Sequence, residues 1–277
     1  MIHIRIALRL VLLALLLGPA GVGVAVAQKA QGFELLSGSM QQGSLVIART
    51  QAGAAVEVDG VPVRVLDDGR FIFGLDRDAP ETVQIAVSAP GLPELRQRYA
   101  VAHRNYNIQR LSFPQSGKPA PPEVEERLAA DAEANKEARS RDSDLPYAFE
   151  QFIWPAVGRH TGVFGSQRVI NGETRQPHYG IDIAGKTGTA VLAPADGVVS
   201  LTANMLLSGG TLYLDHGQGV SSAFLHLSRI LVAEGQKVLR GQKIAEIGRT
   251  GRVTGPHLHW QVNWLQARVD AAQLVLP

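Results

Sequence analysis

Between residues 33 and 111, apolar and polar positions alternate in short runs, each closed by a turn signal. GSLVIART, AAVEVDGVPVRVLDDGRFIFGL, ETVQIAVSA and ELRQRYAVA carry the period of two that sends successive side chains to opposite faces of a strand. Asp59-Gly60 and Asp68-Gly69 mark hairpin turns, since both residue types tolerate the positive φ that tight hairpins need. Several strands at this spacing predict a small β-sandwich over residues 28–111.

The pattern changes over residues 112–145. SFPQSGKPAPP reads as a Pro-rich extended linker. PEVEERLAADAEANKEARSRDSD then predicts one exposed helix, with Pro122 near its start and glutamates in its first turn. Its apolar stripe is thin, which favours a solvated face; a cell-wall protein partner is the alternative, docking through the N-terminal module or this helix. From 146 to 277 the text is Gly-rich and β-like again, so the chain as a whole is expected to be mostly β.

The first segment differs from all of these. MIHIRIALRLVLLALLLGPAGVGVAVAQ has Arg5 and Arg9, an apolar run, and the small-x-small pattern Ala25-Val26-Ala27. It predicts a secretory signal over residues 1–27. The run from Leu10 to Leu17 is short and interrupted by Gly18-Pro19, so no membrane span is expected after cleavage. Removing these two arginines leaves 25 basic residues against 25 acidic ones, a balance that offers nothing to nucleic acid. With no cysteine, disulfides and thiolate chemistry are excluded, and a metal site must use His and carboxylates.

Three histidine-bearing stretches in the last domain are the candidates for chemistry. PHYGIDIAG holds His178 and Asp182, SSAFLHLSRI holds His226, and GPHLHW holds His257 and His259. On a strand, His257 and His259 share one face, with Leu258 and Trp260 on the other. Such a pair fits two neutral ligands, a base beside a ligand, or a chance arrangement. His178 and Asp182 would stand roughly 13 Å apart on a straight strand, too far to bind one ion, so a bend at Gly180 is expected. His103 and His216 read as structural or surface residues.

The flanking text adds to this. VFGSQR, HYGIDIAGKTGTAVLAPADGVV, LYLDHGQGVSSAFLHLS and VAEGQKVLRGQKIAEIGRTGRVTGPHLHWQV closely resemble the M23 family of zinc metallopeptidases, the LytM and lysostaphin type. The likeness covers most of residues 155–262. It implies an antiparallel β domain with a duplicated hybrid motif, which matches the strand-turn-strand likeness of GTAVLAPADGVVSLT and GQKVLRGQKIAEIG. VDGVPVRVLDDGRFIFG resembles the immunoglobulin-like modules that precede exported hydrolase domains.

The resemblance implies zinc ligands His178, Asp182 and His259, with His226 and His257 serving the reaction. The expected function is a secreted, periplasmic, zinc-dependent endopeptidase that hydrolyses peptidoglycan cross-links with metal-activated water. His257 is expected as the base and His226 as the oxyanion or proton-shuttle group, although the reverse order satisfies the same text. Asn171 is read as an exposed turn residue or a contact to substrate. The alternative is a non-catalytic LytM-like activator of a cell-wall amidase, but such a domain would be expected to lack a ligand, and none is missing.

Overall fold

The computed structural model describes residues 32–112 and 121–275. The expected signal segment and most of the Pro-rich linker lie outside them. Seven strands come first: β1 (Glu34–Ser37), β2 (Leu45–Arg49), β3 (Ala55–Val58), β4 (Val61–Val63), β5 (Arg70–Gly74), β6 (Thr82–Ser88) and β7 (Leu95–Ala100). They form two antiparallel sheets, ordered β1-β2-β5 and β4-β3-β6-β7. Alternation explains the core between them. Val46, Ala48, Phe71 and Phe73 from one sheet meet Val56, Val58, Val83 and Ile85 from the other. Asp59 and Gly60 have φ of 49° and 79°, the hairpin geometry expected of that pair.

This sandwich is not a separate bead. In β5 the run Phe71-Ile72-Phe73 is buried on both faces. Phe71 and Phe73 enter the sandwich core, whereas Ile72 and Leu45 join the core of the C-terminal domain. A Cβ on Gly74 would lie 2.7 Å from Cβ of Trp264, so the two backbones approach too closely for any other residue. β8 (Ile108–Leu111), at the end of the expected N-terminal module, pairs in parallel with residues 167–170 of the C-terminal domain.

Helix α1 (Pro122–Arg139) has proline in its first turn with Glu123 and Glu125 beside it, which suits the helix dipole. It docks through a polar stripe. Arg127 donates to the carbonyl of Asn204, Asp131 accepts the Leu206 amide at 2.7 Å, and Asn135 accepts the Tyr213 hydroxyl at 2.9 Å. Arg139 reaches Gln266 at 3.1 Å. These four residues recur every fourth position and so share one face. The helix therefore packs on the C-terminal domain although its sequence reads as a solvated element.

The C-terminal strands are β9 (His160–Gly162), β10 (Gln167–Ile170), β11 (Glu173–Thr174), β12 (Ile181–Ala184), β13 (Ala190–Leu192) and β14 (Gly197–Met205). They continue with β15 (Gly209–Gly217), β16 (Val220–Ile230), β17 (Lys237–Val238), β18 (Lys243–Ile247), β19 (His257–Trp264) and β20 (Ala267–Val269). The main sheet runs β17-β14-β15-β16-β19-β12-β9, with antiparallel neighbours throughout. The two similar stretches meet where β13 pairs with β18. Trp260, Leu258, Phe224, Ile183 and Leu212 fill the core beneath it. Among the described residues no helix is long and apolar enough to cross a membrane.

Candidate active site

Strand parity and register assemble the site. On β19, Leu258 and Trp260 are fully buried on one face, and His257 and His259 stand together on the other. β12 pairs with β19 so that Asp182 lies directly opposite His259. β16 lies on the other side of β19, with Leu225 opposite His259. His226 follows on a bulge: Leu227 pairs with Gly210 and Phe224 with Leu212, leaving two residues opposite one. Its φ of 66° is strained for a non-glycine residue, as often found where a side chain is aimed for function.

His178 precedes β12 in irregular chain, so the segment between His178 and Asp182 bends, as their spacing required. Gly180 serves a need for space rather than a left-handed turn. A Cβ there would lie 2.4 Å from the Trp260 carbonyl oxygen and 2.7 Å from Nε2 of His259. Gly162 does the same on the other side, where a Cβ would meet Oδ2 of Asp182 at 2.2 Å.

Three ligand atoms converge. Oδ1 of Asp182 lies 3.0 Å from Nε2 of His178 and 2.7 Å from Nδ1 of His259, and those two nitrogens are 3.0 Å apart. Each ring's other nitrogen is occupied. Nδ1–H of His178 donates to the Val163 carbonyl at 3.0 Å. The side-chain amide nitrogen of Gln261 lies 2.8 Å from Nε2 of His259. Both imidazoles turn their remaining nitrogen to the same point as the carboxylate.

Two imidazoles and a carboxylate are a donor set for zinc, whose bonds of about 2.0–2.1 Å place tetrahedral ligand atoms about 3.3 Å apart. The triangle seen here is a few tenths of an ångström tighter, held by hydrogen bonds. The residues fit the metal.

His226 and His257 flank this triangle, with ring centroids 4.9 Å apart. Nε2 of His257 is 3.7 Å from Oδ1 of Asp182. Both rings use Nδ1–H on a backbone carbonyl, that of Thr250 at 3.0 Å for His226 and that of Gly255 at 2.9 Å for His257. Burial pushes His226 down to about 4, so it is neutral at pH 7. Burial also lowers His259. The same desolvation opposes charge on both Asp182 and His178. It is outweighed by their mutual hydrogen bond, joined at Asp182 by that from His259, which hold the carboxyl ionised and raise His178.

Other readings resolve simply. Asn171 has a φ of 53° and turns the β10–β11 hairpin with Gly172. His216 is structural: it lies in β15, fully buried, between the Asp196 carbonyl at 2.7 Å and Oγ of Ser222 at 2.9 Å. His103 is exposed.

Residues 176–271 match Peptidase family M23. The C-terminal domain belongs to that family. The match spans every member of the triangle and both flanking histidines. The chain is 33% identical over 245 residues to the peptidoglycan DD-endopeptidase ShyA of Vibrio cholerae, covering 84% of this chain and 53% of that protein. It is 35% identical over 188 residues to ShyB of the same organism, covering 66% and 42%. The chain thus spans about half the length of these curated relatives. A crystal structure of a Pseudomonas aeruginosa protein assigned to peptidase M23 superposes with a TM-score of 0.69 at 29% identity. That likeness covers 86% of this chain and 95% of the other, so the sandwich ahead of an M23 domain recurs there.

The structure brings together the five residues named from the sequence, and beside them stand groups the sequence reading did not name: Gly162, the Val163 carbonyl, Thr250, Gly255 and Gln261. Gly162 was visible in HTGVFG and Gln261 in HLHWQ. The carbonyl acceptors carry no side-chain signal at all.

Proposed function

We propose that this chain is a zinc-dependent endopeptidase that hydrolyses peptide cross-links of peptidoglycan outside the cytoplasm, in the periplasm. The observation that carries this is the convergence of His178, Asp182 and His259 with ligand atoms within 4.8 Å of one another, beside two further imidazoles. The similarity to ShyA and ShyB supports the substrate class. A bound zinc ion would acidify water and polarise the scissile carbonyl.

The chain's own residues supply the rest. His178, Asp182 and His259 hold the ion. His257, the nearer of the flanking pair to the triangle, takes a proton at Nε2. Of the two roles read for His226, the geometry supports the proton shuttle. Its only N–H is committed to Thr250, so Nε2 must first accept a proton before it can donate one. The complete ligand set weighs against the activator reading.

The test is digestion of purified peptidoglycan followed by mass spectrometry of the muropeptides. Cross-linked species should fall with zinc present and persist with His257→Ala. Unchanged cross-linking by a zinc-loaded parent would overturn the proposal.

A further inference from the structure

The N-terminal sandwich sends one buried arginine towards the site. Arg77, in the loop after β5, is 4% exposed. Its Nε and Nη2 both donate to the carbonyl oxygen of Gly165, at 3.0 and 2.8 Å, and Nη2 also reaches Oε1 of Gln167 at 3.2 Å. Nη1 pairs with Asp78. The guanidinium lies 4.5 Å from the ring centroid of Tyr106, which packs edge-on against Phe164.

Gly165 is locked from the other side as well. Its φ is +83°, and a Cβ would fall 2.0 Å from Cδ1 of Tyr106, so no other residue fits this turn. Its N–H donates to the His178 carbonyl at 2.8 Å, and the His178 N–H donates to the Ser166 carbonyl at 2.8 Å. The neighbouring Val163 carbonyl accepts Nδ1–H of the same histidine. The turn over residues 163–166 therefore grips the backbone and ring of His178 on one side and is gripped by Arg77 on the other.

A guanidinium is costly to bury, and its one carboxylate partner among the described residues, Asp78, is largely exposed. Packing alone would be served by an apolar side chain. A rigid fork that fixes one carbonyl oxygen is what arginine offers and lysine does not.

We propose that Arg77 is a positioning residue for the metal ligand His178, so that the N-terminal sandwich holds the geometry of the metal site. This rests on the metal-site reading above.

The experiment uses the full chain with Arg77→Lys, Arg77→Met and, as a control, Ser44→Ala. Ser44 bonds Gln273 across the same domain junction at 3.0 Å without touching the 163–166 turn. Zinc affinity is measured by competition with a chromophoric chelator, and melting of the metal-free protein is followed alongside. Both Arg77 variants should bind zinc about 10-fold more weakly, the lower end of what lost support for a ligand costs. Ser44→Ala should melt lower and bind zinc as the parent does.

Arg77 variants that melt lower yet bind zinc like the parent would overturn the inference by showing a merely structural role. Arg77→Lys, which keeps charge and stem, carries the comparison if Arg77→Met does not fold. A parent that binds no zinc would overturn this inference together with the proposed function. A parent that binds zinc and cuts nothing would count against the peptidase reading alone, and the affinity comparison would still decide the role of Arg77.

Discussion

Gly162→Ala isolates the metal site from the fold. Gly162 is the last residue of β9, and its backbone is not in the left-handed region, so alanine meets no conformational obstacle there. The obstacle is steric. The added methyl would lie 2.2 Å from Oδ2 and 2.7 Å from Cγ of Asp182, and 2.9 Å from Cε1 of His178. Regaining an ordinary non-bonded contact of about 3.5 Å requires the carboxylate to retreat by at least about 1 Å. Metal–ligand distances tolerate only about 0.2 Å. Asp182 and His178 are therefore both displaced from positions that zinc needs, while the core beneath β12 is untouched. The expected result is a loss of zinc affinity of about 100-fold, read by chelator competition, with the melting of the metal-free protein nearly unchanged. Zinc affinity within twofold of the parent, with Asp182 still in place in a crystal structure, would refute the reasoning.

Other outcomes follow from the same geometry. His226→Asn, a residue that tolerates positive φ, should retain zinc and fold but lose activity on peptidoglycan by about 10²- to 10⁴-fold in a turnover assay. His216 is buried and held down to about 4, below the ordinary histidine value, so the unfolded chain binds the extra proton between about pH 6.5 and 4. Stability should therefore be full above that window and fall by roughly 3 kcal/mol as pH drops through it, with a shallower fall for His216→Gln in urea titrations at stepped pH. Asp131→Ala removes the acceptor of the Leu206 amide and should cost about 1–3 kcal/mol in urea unfolding.

The parity of His257 and His259 was legible because a strand's period of two needs no long-range knowledge, and Leu258 and Trp260 confirm it by their burial. The bend between His178 and Asp182 was legible from distance alone. The pairing of Asp182 with His259 was not, because register between strands some eighty residues apart is written in neither local text. The bulge that turns His226 into the site is likewise a product of three strands meeting.

Helix α1 misled for a definite reason. Its docking face joins the polar series Arg127, Asp131, Asn135 and Arg139 to a single buried alanine, Ala138, packed against Tyr213 and Ala223, so a wide apolar stripe was the wrong signal to seek. The fusion of the two domains did leave a trace. Phe71-Ile72-Phe73 breaks the alternation of its neighbours, as a strand covered on both faces must. β8 carried no such mark, since its residues are exposed in the sheet they join.

The central claim is that one zinc ion is held by two histidines and an aspartate in a domain built to cut peptides. The most direct measurement is an anomalous difference map from zinc-loaded crystals, collected on both sides of the zinc absorption edge. A single strong peak within about 2.0–2.3 Å of Nε2 of His178, a carboxylate oxygen of Asp182 and Nδ1 of His259 is the result predicted. A peak elsewhere, or none at this triangle in protein that holds zinc, would contradict it.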